Sequence, residues 1–196
     1  AHSIDGQLYL LDAFLDKRPY FFPFLTSLLH DLSGYRSLQG VWLNLALTPV
    51  LLGLLFSIGS RLGGCYCGYL AVLLFATIPL VSMNVNGAGF DLLNLTMLLA
   101  VIRMAIYFTE HPELCGMNVL LLLAVLLVQS RYESALYVLP VGLLILLSWQ
   151  RAGQLRMSWT LVIIPLLLVM VPLQNGVFSA EEHDVWQLKG GAEVPF

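Results

Sequence analysis

The sequence predicts an all-α membrane protein, a polytopic transmembrane helix bundle with amphipathic interfacial helices at the N-terminus. Hydrophobic residues make up 59% of the chain and charged ones only 11%, whereas soluble domains run near half apolar and about a quarter charged. The mean hydropathy is +0.84. The apolar residues arrive in blocks of membrane-spanning length separated by short polar joints, so the 196 residues count spans rather than globular domains.

The chain divides into an external loop at 1–37, a helix bundle at 38–173 and a second external loop, truncated, at 174–196. Within residues 1–20, Ile4, Leu8, Leu11, Phe14 and Leu15 recur at spacings of three and four, which predicts an amphipathic helix along the membrane surface. Pro19 and Pro23 bracket a Phe-rich entry to a second helix running to Leu32, too short to cross ~30 Å of hydrocarbon at 1.5 Å per residue. Ser33-Gly34-Tyr35-Arg36 is a turn.

About six spans follow by length and hydropathy, at 38–58, 66–83, 90–108, 117–130, 135–149 and 159–173. Arg61-Leu62-Gly63-Gly64 closes the first, and Asn84-Val85-Asn86-Gly87-Ala88-Gly89 turns the second into the third. Pro112 ends the helix before it, because a proline forces its predecessor out of the helical region. Spans 117–130 and 135–149 are short, which predicts that the turn around Arg131-Tyr132-Glu133-Ser134 is recessed below the lipid surface. Pro49, Pro79 and Pro165 interrupt three spans. The chain begins at Ala1 and reads as an internal fragment lacking an earlier helix.

Alternating spans put Asp5, Asp12, Asp16, Asp31, Asp91, Glu133, Glu181, Glu182, Asp184 and Glu193 on one side and leave Glu110 and Glu113 on the other. The positive residues divide almost evenly. Two loops on the second side, around Arg61 and around Arg151 and Arg156, are short, basic and free of nearby acids, the kind retained in the cytoplasm. The acidic side is therefore expected outside. The net charge of −3 and the lack of any Lys/Arg run exclude nucleic acid as a partner. Cys65, Cys67 and Cys115 fit neither a disulfide framework nor a common zinc site and are expected as free thiols.

Polar residues converge on the expected outer face. Arg131 and Glu133 at membrane depth must face a wet cavity or each other, since an unpaired charge there costs several kcal/mol. They are either a structural ion pair or, through the guanidinium fork of Arg131, a grip on an anionic headgroup. Asp5, beside Gly6, is either a helix cap or a general base. His30, Asp31 and Asp91 lie on the same expected face. Glu181-Glu182-His183-Asp184 has metal-ligating residue types, but adjacent side chains on an extended segment diverge, so a solvated acidic loop is expected and no metal. Arg103, near the inner end of its span, is placed to snorkel to the headgroups.

Several motifs in order resemble the GT-C superfamily of membrane glycosyltransferases, in the family-39-like branch of protein O-mannosyltransferases and lipid A aminoarabinose transferases. They are Asp5 ahead of Tyr9, Lys17-Arg18-Pro19-Tyr20-Phe21-Phe22-Pro23-Phe24-Leu25, and His30-Asp31-Leu32-Ser33-Gly34-Tyr35-Arg36. Asn86-Gly87-Ala88-Gly89-Phe90-Asp91-Leu92-Leu93 is similar to the family's outer turn, and Gln129-Ser130-Arg131-Tyr132-Glu133 to its basic turn between two short helices.

The resemblance implies an enzyme that moves a sugar from a polyprenyl-phosphate donor to an acceptor on the extracytoplasmic side of a bacterial plasma membrane. It implies Asp5 as the base that deprotonates the acceptor, and Arg131 or the Lys17-Arg18 pair as the cations that offset the leaving phosphate, with Glu133, His30, Asp31 and Asp91 among the substrate-binding residues of the same site. Many relatives carry two adjacent acids where this chain has Asp5 followed by glycine, which argues against help from a metal. Expected partners are the lipid bilayer, the lipid-linked donor and an acceptor the sequence does not specify. No cofactor is expected beyond that donor. The same charged groups at depth also fit a transporter or flippase of a lipid-linked or small polar substrate, although broken midplane spans and repeat symmetry are not evident.

Overall fold

The computed structural model describes residues 2–4, 7–9, 21–34, 38–87, 89–152, 159–164 and 166. The described residues form helices, apart from one small strand pair. The strands β1 (His2–Ile4) and β2 (Gln7–Tyr9) pair antiparallel with Ile4 opposite Gln7. An amphipathic helix was expected within residues 1–20, but at 2–4 and 7–9 the chain is extended, and the rest of that stretch lies outside the described residues. Asp5 and Gly6 stand between the strands in sequence, and an Asp-Gly pair favours a two-residue hairpin over continued helix.

Helix α1 (Phe21–Ser33) has 13 residues, a length of ~20 Å that falls short of a bilayer core. Phe24, Leu28 and Leu32, one turn apart, remain exposed and give it an apolar outer stripe. This suits the second interfacial helix expected. Gly34 ends it with φ of 78°, a conformation that costs glycine nothing. Gln39 then ties α1 to the next helix. Its Nε2 donates to Ser33 Oγ at 2.8 Å, to Leu29 O at 3.3 Å and to Gly34 O.

Helix α2 (Gln39–Ala76) spans 38 residues in two arms, divided where the backbone is non-helical at Gly63 and at Gly64, where φ is 81°. The chain reverses there. A Cβ on Gly59 would lie 3.0 Å from the Gly68 Cα, and the rings of Phe56 and Tyr69 are 5.0 Å apart, so the two arms run side by side. Close backbone contact of this kind holds membrane helices together where lipid removes the hydrophobic drive. The expected turn at Arg61-Leu62-Gly63-Gly64 therefore lies inside α2. Its second arm stops at Ala76, Ile78 is extended (ψ 116°), and Pro79 opens α3 (Pro79–Asn86). Pro79 thus divides the apolar segment 66–83.

Helix α4 (Asp91–Glu110) crosses back, and α5 (Leu114–Ser130) returns after Pro112. A 3₁₀ turn (Tyr132–Tyr137) leads into α6 (Val138–Ala152). Residues 160–164 are helical, and Thr160 donates to Asn118 of α5. Among the described residues, Gln39–Ala76, Asp91–Glu110 and Glu133–Gln150 are long and apolar enough to cross a membrane, and Leu114–Ser130 is a shorter apolar helix. The chain is a membrane protein built as a helix bundle.

A buried core lies between α4, α5 and α6, where Val101, Phe108, Met117, Leu120, Ala124, Leu127, Val141 and Ile145 are buried together. At one end of the bundle, Asn44 of α2 donates to the carbonyls of Asn84, Gly87 and Gly89 at 3.2, 2.8 and 3.0 Å, pinning the turn that leads into α4. At the other end Arg61, beside the α2 reversal, pairs with Glu110 at the last residue of α4. The free, exposed thiols Cys65, Cys67 and Cys115 follow the α2 reversal and the start of α5 at that second end.

Candidate functional site

The polar end marked by Asn44 carries the candidate site. Asp91 is the first residue of α4, where the exposed amide groups of the helix start favour a carboxylate. Arg131 sits between α5 and the 3₁₀ turn in extended backbone (φ −159°, ψ 134°), which carries its side chain off the α5 axis and back toward α4. Glu133 lies in the first turn of the 3₁₀ segment.

These three side chains meet. Arg131 Nη1 donates to Asp91 Oδ1 at 3.0 Å, and Arg131 Nε donates to Glu133 Oε2 at 2.8 Å. The guanidinium carbon also stands 5.9 Å from the centroid of the Phe90 ring, within cation–π range. Of the two alternatives left open by the sequence, the structure shows the ion pair of Arg131 and Glu133, yet the Arg131 side chain is 42% exposed, so the guanidinium can still be reached. Two of its five N–H groups are engaged by carboxylates, and Nη2 has no acceptor among the described residues.

The turn that presents Arg131 is held from below by Asn94, one turn into α4 from Asp91. Asn94 Oδ1 accepts hydrogen bonds from Ser130 Oγ and Ser134 Oγ, both at 2.8 Å, and both serines are buried. One acceptor with two lone pairs clamps the residues on either side of Arg131. Ser134 N also donates to Arg131 O at 3.0 Å, closing the turn. Asn94 and Ser134 were not singled out in the sequence. The available signal was an Asn inside an otherwise apolar span, where a polar side chain at depth calls for a named partner.

The remaining expected site residues divide into two groups. His30 and Asp31 lie in the last turn of α1, which packs on α2 and α5. His30 is half-buried and Asp31 exposed, and neither is bonded to Arg131. Asp5, Lys17 and Arg18 lie outside the described residues, as does the acidic run at 181–184. Among the described residues no group of three or more His, Cys, Asp or Glu side chains is placed to hold a metal ion.

Chemically, the assembled group is one cation between two carboxylates with part of its hydrogen-bonding fork unfilled. It can accept a further anionic oxygen on Arg131, or a hydroxyl or amine donor on either carboxylate. No protein-family model matches the chain, and neither a curated protein nor a solved structure is detectably similar to it.

Proposed function

We propose that this protein is a membrane glycosyltransferase that moves a sugar from a polyprenyl-phosphate donor to an acceptor on the extracytoplasmic face of a bacterial plasma membrane. The observation that carries the proposal is Arg131. It is a half-exposed guanidinium fixed at the end of an apolar bundle by Asp91 and Glu133, with N–H groups left for an anionic oxygen. The GT-C resemblance of the motifs around Asp5, Asp91 and Arg131 supports the same assignment.

In this proposal Asp5 removes the proton of the acceptor hydroxyl or amine, whose oxygen or nitrogen attacks the anomeric carbon. The bond from that carbon to the phosphate oxygen breaks, and polyprenyl phosphate leaves with the electron pair. Arg131 offsets the charge that develops on the leaving oxygen. Since Asp91 and Glu133 together outweigh the charge of Arg131, the proposal assigns Lys17 and Arg18 to complete the phosphate site. A single displacement inverts the configuration at the anomeric carbon. The apolar outer stripe of α1 and the lipid-facing helices suit a donor whose polyprenyl tail stays in the bilayer while water is kept from the sugar.

Binding of a polyprenyl-phosphate sugar to the purified protein in detergent tests the assignment. Wild type and Asp5→Asn are expected to bind alike, because Asp5 acts on the acceptor, while Arg131→Leu weakens binding about tenfold, the loss of ~1.4 kcal/mol for a charge-assisted contact. Equal binding by Arg131→Leu would remove Arg131 from the phosphate site.

A further inference from the structure

The end of the bundle opposite Arg131 holds a second arginine in a different electrostatic setting. Arg103 lies within α4 about two turns before its last residue, ~10 Å along the axis at 1.5 Å per residue. Its Nε donates to Ser57 Oγ of α2 at 2.7 Å. Ser57 precedes Arg61 by one turn, so the guanidinium is anchored about one turn, ~6 Å, inside the level of the Arg61–Glu110 pair. Its side chain is therefore tied sideways to α2. A simple extension toward the headgroups, as expected for a snorkelling residue, would not need Ser57.

The sequence continues this polar line. Tyr107 follows Arg103 by one turn on the same face of α4, and its ring stacks with that of His111, just past the helix end, with centroids 5.0 Å apart. Both are exposed, and Arg103 is half-buried. Arg61 is neutralised by Glu110, whereas Arg103 has no carboxylate within salt-bridge distance among the described residues. The line is thus cationic at its deep end and offers hydrogen-bond donors toward the surface. A charge held at this depth without an acidic partner is costly unless an anion joins it.

We infer that Arg103, anchored by Ser57 and flanked by Tyr107, forms a binding site for the phosphate of an anionic phospholipid in the leaflet at the Arg61–Glu110 end. The bond to Ser57 uses Nε alone and leaves the two terminal nitrogens without an acceptor among the described residues, so the fork keeps donors for two phosphate oxygens. Tyr107 stands one turn further along α4 toward the Arg61–Glu110 end and is exposed, so its hydroxyl is available as a further donor. The acyl chains would lie along the exposed apolar residues of α4 such as Ile102. This inference does not rest on the transferase proposal, since it uses the other end of the bundle.

Native mass spectrometry of the purified full chain in detergent tests it, with added phosphatidylglycerol or phosphatidylcholine as the probe. Wild type is expected to hold at least one phosphatidylglycerol about tenfold more tightly than Arg103→Leu, with phosphatidylcholine binding the same in both. Ser57→Ala keeps the charge but releases the anchor and is expected to weaken phosphatidylglycerol binding about threefold, which keeps the test open if Arg103→Leu does not fold. Inorganic phosphate in millimolar excess should not displace the lipid. Unchanged phosphatidylglycerol binding in both variants would leave Arg103 as a snorkelling residue and overturn the inference. Displacement by inorganic phosphate would overturn the lipid as ligand.

Discussion

Asn44 offers the sharpest test of how the polar end is built. It is fully buried in α2, with Nδ2 within 3.2 Å of three carbonyl oxygens of the turn before Asp91 and with Oδ1 buried and unbonded among the described residues. The amide nitrogen has two hydrogens, so at most two of the three bonds are at full strength at once. Interhelical bonds in membranes are worth on average ~0.6 kcal/mol and at most ~1.7, which puts the set near 1–3 kcal/mol. The unbonded Oδ1 opposes this by a comparable amount. Asn44→Leu removes both terms but leaves the carbonyls of Asn84, Gly87 and Gly89 without their donor, and is expected to cost about 1 kcal/mol, roughly a fivefold shift in the unfolding equilibrium. Asn44→Asp keeps the shape but aims a carboxylate at three carbonyls with no hydrogen to share, and is expected to cost at least ~3 kcal/mol, more than a hundredfold. Reversible unfolding in mixed dodecyl sulfate micelles reads both. If Asn44→Asp were as stable as Asn44→Leu, the amide would not be the donor that holds this turn.

Two further outcomes follow from the same packing. Asn94→Leu removes the acceptor shared by Ser130 and Ser134 and is expected to lower the affinity for a polyprenyl-phosphate sugar about threefold to tenfold while the protein stays folded, because Arg131 loses the clamp on its turn; donor titration against wild type measures this. Gly59→Ala would place a methyl group 3.0 Å from the Gly68 Cα and 3.1 Å from the Cys67 carbonyl, both backbone atoms that cannot turn aside, and is expected to cost ~1–3 kcal/mol in the micelle unfolding assay. Equal stability of Gly59→Ala would show that the two arms of α2 separate freely.

The class of fold was legible because lipid leaves the chain few choices: apolar blocks bounded by Gly63-Gly64, Gly87-Gly89 and Pro112 read directly as helices and reversals. The N-terminal strands were not legible from the apolar spacing, since Ile4 and Leu8 fit a helical stripe as well as an extended segment and only the Asp-Gly pair between β1 and β2 distinguishes them. The reversal at Gly63 and Gly64 was legible from the glycine pair, and the structure divides α2 into two arms there. At the site, charge identified Arg131, Glu133 and Asp91 as residues of one face, but their meeting needs the extended backbone at Arg131, which hydropathy does not encode. The supporting amides and hydroxyls were harder still, because Asn44, Asn94, Ser130 and Ser134 gain meaning only from partners about 36 to 45 positions away in sequence.

Transfer of radiolabelled sugar from a panel of polyprenyl-phosphate donors, by membranes carrying the full chain, tests the central proposal most directly when wild type is compared with Asp5→Asn at equal protein level. Transfer by wild type and its loss, by a hundredfold or more, in Asp5→Asn is the expected result, since general-base catalysis contributes about 10²–10⁴. Equal transfer by Asp5→Asn would contradict the role of Asp5, and no transfer from any donor by wild type would contradict the transferase itself.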